Sequence, residues 1–165
     1  MSSKTYGLIN EVFLCGDDID RRLFSRYGLT VRQYHLLHWL ARREQASLTE
    51  LAKLLLCDKS NVTGLARRLE AACLIEKVPS VDRRFTRVQL TAEGKRIHDA
   101  TEQALNYSIA CRFTGMPEAD HAQLQALLQQ VYERLHQYLQ TPQDPDAETH
   151  DYVSHGKGVM SLGSH

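Results

Sequence analysis

The chain has 165 residues, of which 42% are hydrophobic, and its 20 basic and 20 acidic side chains give a formal net charge of zero. This length suffices for one domain with or without an extra arm, and no apolar run approaches the ~18 residues that a membrane span requires. The first residues lack the basic and apolar segments of a signal peptide, and the four cysteines form no C-x-x-C pair. We therefore expect a cytoplasmic protein with reduced thiols and no membrane partner.

Two helices are predicted at the start of the chain. Apolar residues recur at near-helical spacing over residues 6–25, and Gly28 ends that pattern. Thr30 is a suitable cap for a second helix that runs to about Arg43.

Two shorter helices follow. Ser47 and Glu50 fit a capping box, in which each side chain satisfies the other residue's free backbone amide. The helix that this box opens is short, and Asp58 or Ser60 can cap a fourth helix that ends near Ala72.

The hydrophobic period then changes to that of strands. Residues 74–78 and 87–90 are predicted to be two short strands joined by a polar loop. Thr91 caps a long helix that reaches about Phe113, and a last helix with leucines at alternating spacings of three and four begins near Pro117.

This order of elements indicates a mostly α protein with a small β-hairpin wing. Residues 30–96 form a winged helix-turn-helix domain, residues 1–29 and 97–140 are flanking helices, and residues 141–165 are rich in Pro, Gly, Ser and acid. Such a composition predicts a flexible C-terminal tail.

The charge is distributed unevenly over this architecture. Residues 58–96 contain nine basic and five acidic side chains, a net charge of +4, whereas residues 97–140 and 141–165 each carry −3. Because local charge matters more for binding than the total, the middle segment is a candidate surface for nucleic acid.

The fourth helix has the side chains that reading a DNA groove requires. Ser60, Thr63 and Arg67 share one face, and Asn61 and Arg68 share the neighbouring face. Short polar side chains near a helix N-terminus let the backbone approach phosphates, and Asn or Arg can form bidentate contacts with base edges. The alternative is the solvated face of an ordinary amphipathic helix.

The hairpin loop favours the DNA-binding interpretation. Arg83 and Arg84 lie at its tip, where an exposed pair contributes little to stability. A narrow minor groove attracts arginine, Asp82 is close enough to orient one guanidinium, and Arg87 adds a further positive charge on the second strand.

Three segments together resemble the MarR family of bacterial transcription regulators: SLTELAKLL, DKSNVTGLARRLEAACLIEK and VDRRFTRVQLTAEGKR. The resemblance covers roughly residues 6–140. It implies a homodimer in which residues 1–29 and 97–140 form a helical dimerisation region. It also implies a pseudo-palindromic double-stranded operator, with recognition helices in major grooves and wing arginines in minor grooves.

Two positions depart from the family pattern. Cys73 stands where a glycine usually ends the recognition helix, so we expect a different turn there, because a left-handed residue without glycine costs about 1 kcal/mol or more. Gly64 stands where a larger, commonly basic residue is frequent, which removes one DNA contact.

The resemblance also implies a pocket for small aromatic acids between the dimer helices and the winged domain. Aromatic walls and a cationic partner for a carboxylate are available in this region, from Phe13, Tyr34, His35, His38, Trp39 and Arg42. Cys15 lies where some members carry a reactive thiol. His35, His38 and His98 are a weak signal for metal, and neither a metal site nor a cofactor is expected.

The sequence therefore predicts a dimeric DNA-binding regulator, a repressor that a small aromatic or phenolic ligand releases. The alternatives are a cysteine-based redox-sensing regulator of the same fold and a winged-helix module that binds protein and no operator. No nucleophile–base pair and no phosphate loop indicate an enzyme.

Overall fold

The computed structural model describes residues 3–78 and 87–141. Six helices and three strands occur in this part of the chain, which confirms the predicted mostly α class with a small sheet. In chain order they are α1 (Ser3–Ser25), α2 (Val31–Ala41), β1 (Gln45–Ser47), α3 (Leu48–Leu54), α4 (Lys59–Ala71), β2 (Ile75–Val78), β3 (Arg87–Leu90), α5 (Ala92–Arg112) and α6 (Glu118–Gln140). Among the described residues, no helix is both long enough and apolar enough to span a bilayer.

The chain divides after Thr114 into two compact units. The first contains α1 to α5 and the sheet, and the second contains α6. The dimerisation region predicted for residues 1–29 and 97–140 remains a prediction. The flexible tail also remains a prediction, because residues beyond Thr141 lie outside the described part.

Side-chain caps start the helices where the sequence predicts them. The Thr30 hydroxyl accepts a hydrogen bond from the Gln33 amide, and the Gln33 side chain accepts one from Thr30 N–H, so α2 begins with a complete capping box. Ser47 and Glu50 form the same reciprocal pair at α3, with distances of 2.7 and 3.2 Å. These bonds satisfy amides that a helix end would otherwise leave free.

The sheet has three strands, one more than the sequence analysis predicted. The order is β1-β3-β2, and both neighbouring pairs are antiparallel. Ala46 of β1 lies opposite Val88 of β3, and both side chains are buried. The third strand therefore covers one edge of the predicted hairpin and attaches it to the segment between α2 and α3.

Three helix ends share one turn geometry although only one of them has glycine. Gly28, Leu56 and Cys73 have φ values of 70°, 48° and 56°. After each, the next backbone amide donates back to a helical carbonyl five residues earlier, as Leu74 N does to Leu69 O at 2.9 Å. This is the Schellman arrangement. The expectation of a different turn at Cys73 is therefore wrong, since the chain adopts the left-handed conformation there without glycine.

The end of α4 and the start of α5 meet at a tight backbone junction. The Thr91 amide donates to the Leu74 carbonyl at 3.1 Å. The Thr91 hydroxyl donates to Cys73 O at 2.7 Å and accepts from Gly94 N at 2.9 Å. A Cβ added to Gly94 would lie only 1.8 Å from the Leu74 oxygen. Only glycine permits this approach. The junction therefore holds the start of β2 and the end of β3 next to each other.

The core of the first unit is assembled from α1 to α4 and the sheet, and Ile97 and Leu105 of α5 pack against it partly buried. Buried apolar side chains from α2, α3 and α4 form a single cluster with Phe24 of α1, Ile75 of β2 and Val88 of β3. Phe24 is the one buried residue within α1, and α6 has none. The two long outer helices therefore contribute little to the core of the described chain.

The junction at Gly94 makes a direct prediction. We expect Gly94→Ala to lower the free energy of unfolding by about 2–3 kcal/mol, because a backbone carbonyl cannot rotate away from the added methyl group as a flexible side chain would. Chemical denaturation at a fixed protein concentration measures this change.

Gly64→Ala is the matched control. Nothing lies within 4 Å of a Cβ at Gly64, which is inside α4. Alanine there should raise stability by about 0.5–1 kcal/mol through helix propensity and chain entropy. Equal effects of the two substitutions would contradict the account of the junction.

Candidate functional site

Helix α4 has one buried and one exposed side. Val62, Leu65, Ala66 and Leu69 are buried against the core. Ser60, Asn61, Arg67 and Arg68 are exposed, and Thr63 is half-buried. The predicted recognition-helix residues thus lie on the surface. Among the described residues, neither Arg67 nor Arg68 forms an ion pair, so both guanidinium groups are available to a ligand.

The N-terminus of α4 carries free backbone donors. Asp58 occupies the N-cap position, but its side chain makes no capping hydrogen bond. The Thr63 hydroxyl donates back to the Lys59 carbonyl at 2.8 Å, which holds that side chain against the first turn. Exposed amides at a helix N-terminus attract anions such as phosphate.

The exposed side chains of α4 form two adjacent groups. Asn61 and Arg68 line a cleft of about 270 Å³ that also contains Arg32 from the first turn of α2 and Leu55 from the end of α3. Ser60 and Arg67 do not line it. Asn61 and Arg68 therefore lie on a different face of α4 from Ser60 and Arg67, as the helical spacing implies. The cleft also contains Arg32, which the sequence analysis did not single out.

The wing is described only at its base. Asp82, Arg83 and Arg84 lie outside the described residues, so their predicted contacts with DNA remain predictions. Arg87 is described, and its Nε donates to the Gln45 side-chain oxygen at 3.2 Å. A second nitrogen of Arg87 donates to the Gln45 carbonyl at 3.3 Å and lies 3.9 Å from a Glu50 oxygen. Arg87 thus joins β3 to β1.

A cavity of about 480 Å³ opens along α2, β3 and α5. Of the six residues predicted to line an effector pocket, His38 and Arg42 line this cavity. Phe13 is 65% exposed on α1, and His35 is also exposed. Trp39 packs against the core with Arg43 over its ring, and buried Tyr34 stacks on Phe24 at 4.2 Å.

Burial sets the protonation of Tyr34 and of His38, of which His38 lines this cavity. Burial, aided by the charge of Glu102, raises the pKa of Tyr34 to about 12, so its hydroxyl stays protonated at neutral pH. Burial and the nearby Arg42 guanidinium lower the pKa of His38 below its ordinary value. Both groups are therefore neutral at pH 7, and Arg42 and Lys95 supply positive charge at the cavity wall.

The structure changes the grouping of the histidines. His38 and His98 meet in the cavity wall, and Glu102 completes a cluster with them, whereas His35 is not part of it. The sequence analysis named both histidines and missed Glu102. Glu102 could have been found from its position four residues after His98, since this spacing places two side chains on one face of a helix.

The predicted thiol site is a simple surface position. Cys15 is exposed on α1, and Cys111 is exposed on α5. All four cysteines are free thiols. The redox-sensing alternative therefore stays a prediction of the sequence.

Long helices α1 and α6 present apolar side chains to solvent. On α1 these include Leu8, Val12 and Phe13, each more than 60% exposed. Helix α6 carries a row of exposed leucines and a tyrosine at steps of four, seven and three residues, namely Leu124, Leu128, Leu135 and Tyr138, with Leu127, Tyr132 and Leu139 beside it. Monomeric soluble proteins rarely expose apolar surface of this extent.

Comparison with known proteins agrees with this architecture. The MarR family model matches residues 29–86. The regulator PecS of Dickeya dadantii (strain 3937) is 33% identical over 92 residues, which are 53% of this chain and 55% of PecS. The repressor IacR of Pseudomonas putida is 26% identical over 119 residues, 69% of each chain. The match thus spans about half the length of PecS.

A solved structure shares the fold. The mutant MarR C80S from E. coli, complexed with operator DNA, superposes with a TM-score of 0.71 at 24% identity, covering 78% of this chain and 94% of that one. The α2-α3-α4 core, the antiparallel wing base and the shared fold lead to one conclusion: the chain has a winged-helix fold, and its residues 29–86 are similar to the MarR family.

Proposed function

We propose that the chain is a homodimeric transcriptional regulator that binds a pseudo-palindromic operator in double-stranded DNA. The observation that carries this proposal is the exposed side of α4. It combines an uncapped helix N-terminus, short polar side chains and two arginines without an ion pair in the described part of the chain.

The chemistry of this surface suits a major groove. An α-helix fits the major groove of B-DNA, where Arg recognises guanine and Asn recognises adenine through paired hydrogen bonds. Asn61 and Arg67 are exposed on α4 and offer these groups. The free amides at the start of α4 suit a phosphate, and Arg32 and Arg68 add positive charge at the neighbouring cleft.

The wing supplies a second contact in this proposal. The Thr91 junction fixes the base of β2 and β3 against the end of α4. The sequence predicts Arg83 and Arg84 in the loop between these strands, and a narrow minor groove attracts arginine.

Dimerisation follows from the outer helices. Helix α6 has 23 residues and none of them is buried within the described chain. Helices derive most of their stability from packing an apolar face, so the exposed leucines of α6 and the apolar residues of α1 require a partner. A second copy of the chain supplies that partner and creates the two-fold symmetry that an inverted-repeat operator matches.

Repression and ligand release are the finer part of the proposal. IacR, one of the relatives, is a repressor by name. The cavity beside α2 and α5 touches the winged domain and the helix that leads out of it, so a small ligand there would change how the two pack. Arg42 and Lys95 are cationic partners for the carboxylate of a small aromatic acid.

Substitutions on α4 and at the wing test DNA binding. We expect Arg67→Ala and Arg84→Ala each to weaken binding by at least about tenfold, which corresponds to the loss of roughly 1.4 kcal/mol of contact free energy. Fluorescence anisotropy with a labelled duplex from the region upstream of the gene measures the affinity.

Arg96→Ala is the control for this experiment. Arg96 is an exposed arginine of α5 whose charge is paired with Glu93 at 2.6 Å, and it lies outside α4 and the wing. Its loss should leave affinity nearly unchanged. Wild-type affinity in both test variants would contradict the assignment of α4 and the wing as the DNA contacts, and no binding of the duplex by the wild type would favour the protein-interaction module.

A charged residue in the apolar row of α6 tests the dimer. We expect Leu128→Asp to shift the chain from dimer to monomer, because the interface would have to bury an unpaired carboxylate where a leucine is 52% exposed in the single chain. Sedimentation velocity measures the change, and Gln125→Glu, which adds a charge at another exposed position of α6, should remain dimeric. A dimer that persists in Leu128→Asp would contradict the assignment of this row to the interface.

A further inference from the structure

The cleft of about 270 Å³ opens where the start of α2, the end of α3 and one face of α4 meet. Its apolar residues are buried or half-buried, and its polar residues are exposed at the rim. The apolar residues are Leu55, Cys57 and Leu65, and the polar ones are Arg32, Asn61 and Arg68. Among the residues that the structure describes, no acidic side chain lines this cleft, so its two positive charges are not neutralised there.

Arg32 occupies a position where a positive charge opposes helix stability. It is the second residue of α2, whose first turn contains no acidic residue. The N-terminal end of a helix carries partial positive charge, which makes a cation there unfavourable. Arg32 also forms no ion pair with any part of the chain that the structure describes. The local stability of α2 therefore does not account for this arginine.

Helix α4 directs its two adjacent arginines to different places. Asn61, Leu65 and Arg68 follow one another at steps of four and three residues, which places them on one face of the helix, and all three line the cleft. Arg67 is rotated by about 100° from Arg68 around the helix axis, and it does not line the cleft. Arg68 thus shares a cleft with a residue of α2, whereas Arg67 does not.

The size and charge of the cleft suit one small anionic group. Pockets for drug-sized ligands commonly measure about 300–1,000 Å³, and this cleft is smaller. Two guanidinium groups that line one cleft repel each other, and an anion between them replaces this repulsion by attraction. A guanidinium pairs with two phosphate oxygens through parallel hydrogen bonds. The arrangement therefore fits a single phosphate group.

We propose that Arg32 and Arg68 together hold one backbone phosphate of duplex DNA beside the groove that α4 enters. This inference rests on the proposed function, and it adds to the DNA contacts a residue from outside both α4 and the wing. Because Arg32 belongs to α2, its contact reads no base. Arg32 is a positioning residue, since a phosphate contact fixes the orientation and register of a protein on the duplex.

Arg32 and Arg67 therefore have different roles, and two kinds of duplex separate them. Loss of a phosphate contact weakens binding to every sequence by a similar factor, whereas loss of a base contact weakens binding mainly to the specific site. Loss of a phosphate contact also lowers the number of counterions that binding releases, so the salt dependence becomes less steep.

The experiment measures the affinity of the full-length chain by fluorescence anisotropy, for the duplex upstream of the gene and for a scrambled duplex of equal length, at several salt concentrations. We expect Arg32→Ala to weaken binding of both duplexes about five- to tenfold near roughly 100 mM salt, and to reduce the slope of log affinity against log salt by about 0.9. Arg67→Ala should weaken binding of the upstream duplex more than binding of the scrambled one.

Two further measurements separate a phosphate contact from a structural role of Arg32. Arg32→Lys keeps the positive charge and should keep the wild-type salt slope, although it loses the paired geometry of the guanidinium. Arg32→Ala should melt at or above the wild-type temperature, because it removes a cation from the start of α2. A lower melting temperature together with a wild-type salt slope would overturn the inference.

Inorganic phosphate is the other source of the same chemistry. Replacing chloride by phosphate at constant ionic strength should leave DNA affinity nearly unchanged, because one small anion lacks the simultaneous contacts of a duplex. A loss of DNA affinity in phosphate that Arg32→Ala does not show would assign the cleft to a free anion and overturn the inference.

Arg96→Ala is the matched control, since it removes one positive charge outside the cleft and should keep both affinity and slope. Wild-type affinity and slope in Arg32→Ala, or a loss confined to the upstream duplex, would contradict the assignment of Arg32 while leaving the proposed function intact. If the wild type binds neither duplex, the proposed function itself fails, and this inference fails with it.

Discussion

The carbonyl oxygen of Leu74 lies against the α-carbon of Gly94, and the geometry of the winged domain depends on this contact. It places the turn that follows α4 directly beside the first turn of α5. Thr91 secures the contact from both sides, because its amide and hydroxyl bond to Leu74 and Cys73 while its hydroxyl also caps α5. Strands β2 and β3 start and end at this junction and pair with each other. The junction thus fixes these two strands, the base of the wing, relative to the exposed side of α4.

The same junction directs α5 along α2. This packing places His98 and Glu102 of α5 opposite His38 of α2 and forms the wall of the larger cavity. The exposed side of α4 and the cluster of His38, His98 and Glu102 therefore both depend on one arrangement. A change in the packing of α2 on α5 would also act on the frame that supports α4, which gives a physical route from the cavity to the exposed side of α4.

Much of this fold follows from local signals in the sequence. Thr30, Ser47 and Thr91 start helices where predicted, because a side-chain cap depends on residues only three positions apart. Strand β1 escaped prediction since three residues carry no periodic signal, and its pairing with β3 is a tertiary effect. The turn at Cys73 was wrongly expected to differ, because two Schellman hydrogen bonds and the Thr91 contact with its carbonyl outweigh a local cost of about 1 kcal/mol.

Among the candidate functional residues, those on α4 could be predicted from the sequence better than those of the cavity. The exposed face of α4 follows from helical spacing alone, so Ser60, Asn61 and Arg67 lie where expected. Cavity residues depend on which helices pack together, and for that reason Phe13 and His35 do not line the cavity while Glu102 and Lys95 do. Spacing within one element is visible in a sequence, whereas contacts between elements separated by some 60 residues, such as His38 with His98, are not.

We propose that α4 and the wing bind DNA, and contacts with the DNA phosphates would make this binding depend on salt. The most direct measurement is the affinity of the full-length chain for a duplex from the region upstream of its gene as a function of salt concentration. Each phosphate contact releases a counterion, so several contacts predict that the logarithm of affinity falls linearly with the logarithm of salt, by at least about tenfold between roughly 50 and 200 mM. An affinity that stays constant over this range, or no binding at the lowest salt concentration, would contradict the account.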